Sequence, residues 1–350
     1  MLNEGLQSYN RICERIVFVD VARGIAAILV VIGHSIQVVD SAFDNNIIFR
    51  MIYSFHMPLF MFFSGYVSYK PEGIDYKWII KKAEYLAVPF IVWTILPVLF
   101  SGNAEDIFER VYAALKQPDV SFWFLIILFY CDVLLFIQTR IEQVIRRIKY
   151  GTSNCNSPHI AWGVLLSVLI CFSIKIIALT YPEYGMALLS WHCVFFFMGY
   201  WVKRLSISVK VQKTVFLILA FMWIPLVVSW SRIKLPDYIM NFAVHMSQWQ
   251  FERFASIYNY IVAFSGIGFS ILVSMLLCRI EIIEKQLSKI GVFTAEMYLM
   301  QGLFYNIIRT QYIFLNILCN MILGVIMPLI ICYLMKQGKM TGVLFGKKYR

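Results

Sequence analysis

The chain has 350 residues, of which 60% are hydrophobic and only 15% are charged. Apolar runs of about 20 residues recur along its whole length, which matches the thickness of a bilayer and exceeds what a soluble core requires. The net charge of +11 does not indicate nucleic-acid binding, because most basic residues stand where a membrane topology would place them.

The apolar runs predict an all-α polytopic membrane protein, a bundle of about ten transmembrane helices that forms one membrane domain over residues 1–350. The predicted spans are 16–39, 47–68, 84–101, 122–139, 159–180, 187–202, 214–230, 258–278, 292–309 and 313–335. With both termini in the cytoplasm, most of the 31 lysine and arginine residues fall in cytoplasmic segments, and a shift of one span would remove this asymmetry.

The first span carries ionisable residues inside the membrane. It is too long for a signal peptide and has no small-residue cleavage site, so we expect it to stay in the mature protein. Arg23 and His34 are eleven positions apart, which at about 100° per residue places both on one face, about 16 Å apart along the axis. Asp20, one turn before Arg23, is expected to orient it.

Charged groups at this depth cost roughly 2.5–3.5 kcal/mol even on lenient insertion scales, so two ionisable groups on one stripe indicate a functional site. The alternative is a buried ion pair beside a histidine with satisfied hydrogen bonds.

The second span reads YSFHMPLFMFFSGY from Tyr53 to Tyr66. Pro58 removes an intrahelical hydrogen bond, and Gly65 allows another helix or a ligand to approach the backbone closely. The topology puts His56 at about the depth of His34 and Ser64 nearer to the layer of Arg23. This pattern predicts a kinked, polar wall of a cavity, with ordinary kinked packing as the alternative.

The later spans add fewer candidates. The ninth contains TAEMYLMQ from Thr294 to Gln301, and its Glu296 lies near the depth of Arg23 as another possible partner. Aromatic residues near the outer loop 231–257 suit sugar stacking, but the aromatic belt of a membrane protein gives the same pattern and is favoured. The eight cysteines include no C-x-x-C pair, so we expect no disulfide framework and no metal site.

Several of these segments together resemble the membrane-bound acyltransferase family 3, especially its sugar O-acetyltransferase branch. The segments are FVDVARGIAA from Phe18, GHS from Gly33, HMPLF from His56 and FSGY from Phe63, followed in the family's order by KKAEYLAVP from Lys81, FWFL from Phe122 and FFFMGY from Phe195. The resemblance covers residues 16 to 335. Its most specific part is the arginine-to-histidine spacing combined with the S-G-Y end of the second span.

The resemblance implies a bacterial enzyme of the inner (plasma) membrane that takes acetyl-CoA from the cytoplasm as donor substrate and holds no bound cofactor. The implied acceptor is a hydroxyl of a cell-surface glycan sugar or of its lipid-linked precursor. The phosphates of CoA would meet Lys77, Lys81 and Lys82 at the inner rim, although topology alone also places lysines there. Arg23 lies deeper and is able to bind phosphate bidentately.

Acyl transfer to a hydroxyl needs a base, and His34 is the candidate. The thioester oxygen gains negative charge, which His56, Gln301 or a freed backbone amide would stabilise. Where the family often has a histidine, Gln301 can hydrogen-bond but cannot act as a base near neutral pH. Ser64 and Gly65 are expected to line the substrate passage. Direct transfer and a transient acyl-histidine both remain open.

The alternative function is a polytopic glycan transporter or polymerase without acyltransferase activity. Such a protein would also be basic inside and aromatic outside, but transporters often show two related halves with paired broken helices, and the sequence has no such symmetry. An acyltransferase would consume acetyl-CoA, whereas a transporter or polymerase would leave it unchanged.

Overall fold

The computed structural model of the chain describes residues 2–101, 107–118, 122–150, 160–243, 245–335 and 341–346. These ranges contain helices and no strand, which confirms the predicted all-α class. In chain order the α-helices are α1 (Leu2–Val39), α2 (Ile47–Tyr53), α3 (His56–Ser68), α4 (Tyr76–Lys82), α5 (Val88–Ser101), α6 (Ile107–Lys116), α7 (Trp123–Tyr150), α8 (Ile160–Thr180), α9 (Met186–Arg204), α10 (Val209–Ser229), α11 (Asp237–Ala243), α12 (Gln248–Leu277), α13 (Glu281–Val292), α14 (Thr294–Met300), α15 (Ile313–Met335) and α16 (Thr341–Phe345). A π-helical turn at Ala83–Ala87 joins α4 to α5, and 3-10 turns occupy Phe43–Asn45 and Gln301–Phe304.

Eight stretches of the described residues are long and apolar enough to cross a membrane, which confirms a polytopic membrane protein. They are Val17–Val39, Ile47–Ser68, Tyr76–Phe100, Trp123–Ile145, Ile160–Thr180, Val209–Ser229, Gln248–Leu277 and Ile313–Met335. The segment predicted at 187–202 forms the single helix α9, whose side chains are largely buried by protein. The count of ten spans and the cytoplasmic termini stay predictions.

The segment predicted as a span at 292–309 is not one helix. The helical chain begins earlier with α13, bends at Phe293, continues as α14 and ends in the 3-10 turn at Phe304. The chain then leaves the helix because Asn306 takes a left-handed φ of 60° and its N–H donates to Oδ1 of the buried Asn320 at 2.8 Å. Hydropathy alone does not reveal these long-range contacts.

The second predicted span consists of two helices, α2 and α3, separated at Ser54 and Phe55. Pro58 has no N–H to offer to the carbonyl of Ser54, one turn earlier. The carbonyl of Ile52 accepts hydrogen bonds from the Phe55 N–H at 3.2 Å and from Nδ1 of His56 at 2.9 Å. The predicted kink is therefore a break, and a histidine side chain satisfies part of the interrupted backbone.

The chain forms two compact units. The first comprises Met1–Phe60 with Ser208–Leu334, and the second comprises Met61–Ile207 with Met335–Arg350. In the first unit, α1 packs along α13 and α10 packs along α12. In the second unit, α9 packs against α7 and α8.

Two glycines hold α1 and α13 in backbone contact. A Cβ atom on Gly24 would collide with the carbonyl oxygen of Leu287, and one on Gly291 would collide with the carbonyl oxygen of Asp20. Only glycine permits so close an approach from both sides. The contact fixes the register of α1, and with it the position of the inner ionisable residues of α1 relative to α14.

Candidate active site

The first unit holds two polar layers, which we call inner and outer after their predicted sides of the membrane, and the inner layer surrounds Arg23. Its Nη2 donates a hydrogen bond to Oγ1 of Thr294 at 3.3 Å, and the charges of Asp20 and Glu296 both act on the guanidinium. Glu296 is fully buried at the start of α14, where the contact between Gly24 and Gly291 brings it beside α1. The structure thus brings the predicted residues Asp20, Arg23 and Glu296 together and adds Thr294, which sequence reasoning missed.

The outer polar layer surrounds His34, which lies on the same unbroken helix as Arg23. Nδ1 of His34 is 3.3 Å from Oε1 of Gln37, and the hydroxyl of Tyr53 donates to that same oxygen at 2.8 Å. An amide oxygen only accepts hydrogen bonds, so Gln37 favours the tautomer of His34 with its proton on Nδ1. Nε2 then keeps its lone pair, which is the form that a general base requires.

His56 lies beside this arrangement and is only 3% exposed. The ring of Tyr53 is 4.6 Å from the ring of His56 and 6.4 Å from that of His34, so Tyr53 lies next to both histidines. Because Nδ1 of His56 donates to the carbonyl of Ile52, Nε2 of the neutral ring is an acceptor. The predicted role as a donor to an oxyanion requires a second proton on this ring.

Gln301 lies near Val31, one turn before His34. Its Oε1 accepts a hydrogen bond from the Tyr305 hydroxyl at 2.8 Å, and its Nε2 donates to the carbonyl of Tyr298 at 3.3 Å. The Tyr305 hydroxyl is also 3.5 Å from the carbonyl of Val31. The buried amide is therefore held by neighbours on its own segment, and that segment lies against α1 between the two polar layers.

Ser64 and Gly65 belong to the second unit. A Cβ atom on Gly65 would collide with the carbonyl of Phe196 in α9, and one on Gly199 would collide with the carbonyl of Phe62. The close approach expected at Gly65 is therefore made by a helix. Ser64 is half-buried on α3. Roles for both residues in lining a substrate passage stay predictions.

The three lysines predicted to lie at the inner rim do not share one environment. Nζ of Lys82 pairs with Oδ2 of Asp132 at 3.0 Å and hydrogen-bonds Ser68 at 3.4 Å, and Asp132 is fully buried. Its ammonium also lies 4.9 Å from the centre of the Trp78 ring. Lys82 is thus a structural ion-pair partner, whereas Lys77 and Lys81 are exposed.

The residues that sequence reasoning missed are neutral. Gln37 stands three positions after His34 on α1, which is the spacing of side chains that meet on a helix face, so a search of that spacing would have found it. Tyr53 ends α2 and reaches Gln37 from another helix, so sequence spacing gives no signal for it.

Comparisons with known proteins identify the family of this chain. A family model described as an acyltransferase domain matches residues 16–336. A protein called nodulation protein NolL from Mesorhizobium japonicum is 27% identical over 188 residues, which cover 49% of this chain and 46% of that protein. A protein of the same name from Sinorhizobium fredii is 33% identical over 119 residues, which cover 30% of this chain and 32% of that protein. The chain thus spans less than half the length of these relatives, and no solved structure matches it.

Proposed function

Because the chain belongs to the acyltransferase family, we propose that it is a membrane enzyme that transfers an acetyl group from cytoplasmic acetyl-CoA to a sugar hydroxyl. The proposed acceptor is a cell-surface glycan or its lipid-linked precursor, and the proposed location is a bacterial inner membrane. The observation that carries the proposal is the pairing of His34 with Gln37, which favours a base-competent histidine on the helix that also carries Arg23.

His34 would act through Nε2. The nitrogen takes the proton of the acceptor hydroxyl as that oxygen attacks the thioester carbonyl carbon. The carbon–sulfur bond then breaks, the acetyl group stays on the acceptor oxygen, and the imidazolium returns the proton to the departing thiolate of CoA. Gln37 supports this cycle because its oxygen accepts a hydrogen bond from the Nδ1–H group of His34 throughout.

Arg23 would hold the donor or position the site from the inner layer. Asp20 and Glu296 supply opposite charge to its guanidinium, which supports the positioning role. Arg23 and His34 are separated by about 16 Å along α1, a distance that the flexible thioester arm of CoA is long enough to bridge. This spacing supports a donor that enters from the side predicted to be cytoplasmic.

The first test measures the O-acetyl content of the host's surface polysaccharides by proton NMR before and after mild base. A deletion strain is complemented with wild type, with His34→Ala or with His245→Ala at matched membrane levels. His245 is exposed outside both polar layers and serves as the matched histidine control. Loss of one acetyl signal in the deletion, with recovery by wild type and His245→Ala but not by His34→Ala, is the expected result.

An unchanged glycan in the deletion strain would argue against the proposed acceptor. Purified protein then separates the remaining alternatives, because an enzyme releases CoA from acetyl-CoA in the presence of acceptor. A transporter or polymerase would leave the thioester intact under the same conditions.

A further inference from the structure

An asparagine in α15 holds a hydrogen-bond donor that the fold does not use. Asn320 is 0% exposed, and its Oδ1 accepts the backbone N–H of Asn306 at 2.8 Å. Only the oxygen of a carboxamide accepts from an N–H group, so this contact fixes which end of the amide is Nδ2. Nδ2 has no hydrogen-bond partner among the described residues. A buried donor of this kind is unfavourable unless an acceptor from outside the chain meets it, so it indicates a binding position inside the first unit.

Asn316, one turn earlier in α15, shows what a structural asparagine does at this end of the helix. Its Oδ1 accepts the N–H of Thr310 at 2.7 Å, and its Nδ2 donates to the carbonyl of Thr310 at 2.9 Å. Both asparagines thus hold the loop between the 3-10 turn at Phe304 and α15. The oxygen of Asn320 is sufficient for its part of this task, and its nitrogen is left for another.

Asn320 lies at about the depth of His34. One turn further along α15, a Cβ atom on Gly324 would lie 2.9 Å from Cγ1 of Val31 and 3.1 Å from the ring of Tyr305, so α15 and α1 approach closely there. The predicted topology runs the two helices in opposite directions. From that contact, Asn320 lies about 6 Å outward, four residues along α15, and His34 lies about 4.5 Å outward, three residues along α1. Both residues thus belong to the outer polar layer.

The segment between α14 and α15 connects the same two helices by hydrogen bonds. The hydroxyl of Tyr305 is 3.5 Å from the carbonyl of Val31, one turn before His34 on α1. The N–H of the next residue, Asn306, is the group that Asn320 accepts. This segment therefore positions α15 against α1 and fixes the carboxamide beside the outer polar layer.

We propose that Nδ2 of Asn320 donates a hydrogen bond to the carbonyl oxygen of the bound acyl donor and keeps this bond during transfer. The inference rests on the proposed function, since the carbonyl is that of the acetyl thioester. When the acceptor oxygen adds to the carbonyl carbon, the π electrons of the carbonyl move onto its oxygen, which becomes negative. The carbonyl forms again when the carbon–sulfur bond breaks and the thiolate of CoA leaves. A buried amide N–H stabilises this transient charge strongly, because little water surrounds it.

The side chains that the sequence suggested for this role are less free. Nε2 of Gln301 already donates to the carbonyl of Tyr298 at 3.3 Å. Nδ1 of His56 donates to the carbonyl of Ile52, so this ring offers Nε2 as a donor only when it carries a second proton. Asn320 is a donor at every pH, and it would supply the part of the oxyanion site that does not depend on protonation.

The catalytic test compares Asn320→Asp with Asn316→Asp in membranes of the deletion strain, which supply the acceptor. Asn320→Asp keeps an oxygen for the N–H of Asn306 but replaces the NH2 group by an oxygen that donates only when protonated. CoA release at saturating acetyl-CoA should therefore fall relative to wild type as the pH rises, by about 10²- to 10³-fold at alkaline pH, the usual cost of one lost oxyanion donor. Division by the wild-type rate cancels the titration of His34. The same ratio for Asn316→Asp should not depend on pH.

Two unreactive analogues measure the contact without the reaction. One is the ketone in which CH2 replaces the sulfur of acetyl-CoA, and the other is S-ethyl-CoA, which has no carbonyl oxygen. Purified wild type in phosphatidylcholine nanodiscs should bind the ketone about fivefold more tightly, the usual net contribution of one hydrogen bond. Asn320→Leu keeps the size of the side chain and removes the donor, so it should bind both analogues equally. The ratio of two affinities in one protein does not depend on the fraction that is folded.

The outcomes separate this inference from the proposed function. Equal affinity of wild type for the two analogues, or a preference for the ketone that survives in Asn320→Leu, would overturn the contact while leaving acetyl transfer in place. A constant loss of turnover in Asn320→Asp at every pH would also count against the contact, because a structural fault does not titrate. A ketone preference that depends on Asn320, in a protein that releases no CoA from acetyl-CoA, would keep the contact and overturn the proposed function.

Discussion

Nδ1 of His34 and Oε1 of Gln37 lie 3.3 Å apart across one turn of α1, and the Tyr53 hydroxyl bonds the same oxygen. One neutral amide thus orients an imidazole and a phenol together. The reactivity proposed for His34 depends on this amide, because only an acceptor at Nδ1 leaves Nε2 free to take a proton.

His34→Ala should lower kcat by about 10²- to 10⁴-fold, the usual contribution of a general base. The substitution removes the only group proposed to accept the hydroxyl proton, and thermal unfolding should be little changed because His34 is half-buried. CoA release from acetyl-CoA measures the effect in membranes with matched protein levels. Substantial turnover by His34→Ala would exclude this residue as the base.

Gln37→Leu and Gln37→Glu form a matched pair. Leucine keeps the volume but offers no acceptor to Nδ1, so kcat should fall by about tenfold or more, while glutamate retains an oxygen in place and should preserve most activity. Steady-state kinetics with acetyl-CoA distinguish the two. An equal loss in both variants would mean that packing, rather than the hydrogen bond, matters at this position.

His56→Asn tests which nitrogen of His56 matters. The asparagine amide is able to replace Nδ1 as donor to the carbonyl of Ile52, so the break between α2 and α3 should survive, but nothing replaces Nε2. Nε2 is the nitrogen that a protonated His56 would offer to the oxyanion, so we expect a loss of activity of about 100-fold with an unchanged unfolding temperature, a size typical of a lost oxyanion donor. Full activity in this variant would assign His56 a structural role.

Gly24→Ala and Gly291→Ala should each destabilise the protein by at least about 1–3 kcal/mol, the usual cost of overpacking, because the new methyl group meets a backbone carbonyl that cannot move aside. Gly302→Ala is the control, since a Cβ atom there has no neighbour within 4 Å. Thermal unfolding in detergent compares the three variants. Equal melting temperatures would show that α1 and α13 do not touch as described.

For the ion pair of Lys82 and Asp132 we expect the two single substitutions to lower the free energy of unfolding by unequal amounts. Lys82→Met leaves a fully buried carboxylate without its counter-ion and should lower the free energy of unfolding by about 3–5 kcal/mol. Asp132→Leu should lower it less, because the remaining lysine is 22% exposed and able to reach water. The double variant Lys82→Met/Asp132→Leu should recover much of the loss, because it removes both charges. A double-mutant cycle of unfolding free energies measures this, and additive losses would contradict it.

Sequence patterns predicted the helical class and the stripe of Arg23 and His34 because both follow from local periodicity. They did not separate Lys82 from Lys81, since the distinguishing partner, Asp132, lies 50 residues further along the chain. The end of the segment after Gln301 likewise depends on Asn320 in α15. Charge counting assigns every inner lysine to water, and hydropathy assigns every apolar run to one helix, so neither method can detect a distant polar partner.

The close contact of Gly24 with Leu287 also limits how the length of α1 is able to change. Because this contact pins the rotation of the helix, one residue inserted between Gly24 and His34 would turn the histidine by about 100° away from Tyr53. Four inserted residues would return it to within about 40° of its original direction, one turn further along the axis. Natural length variants of this segment should therefore differ by whole helical turns. A single residue gained or lost here should abolish the proposed activity even if every side chain of the site is retained.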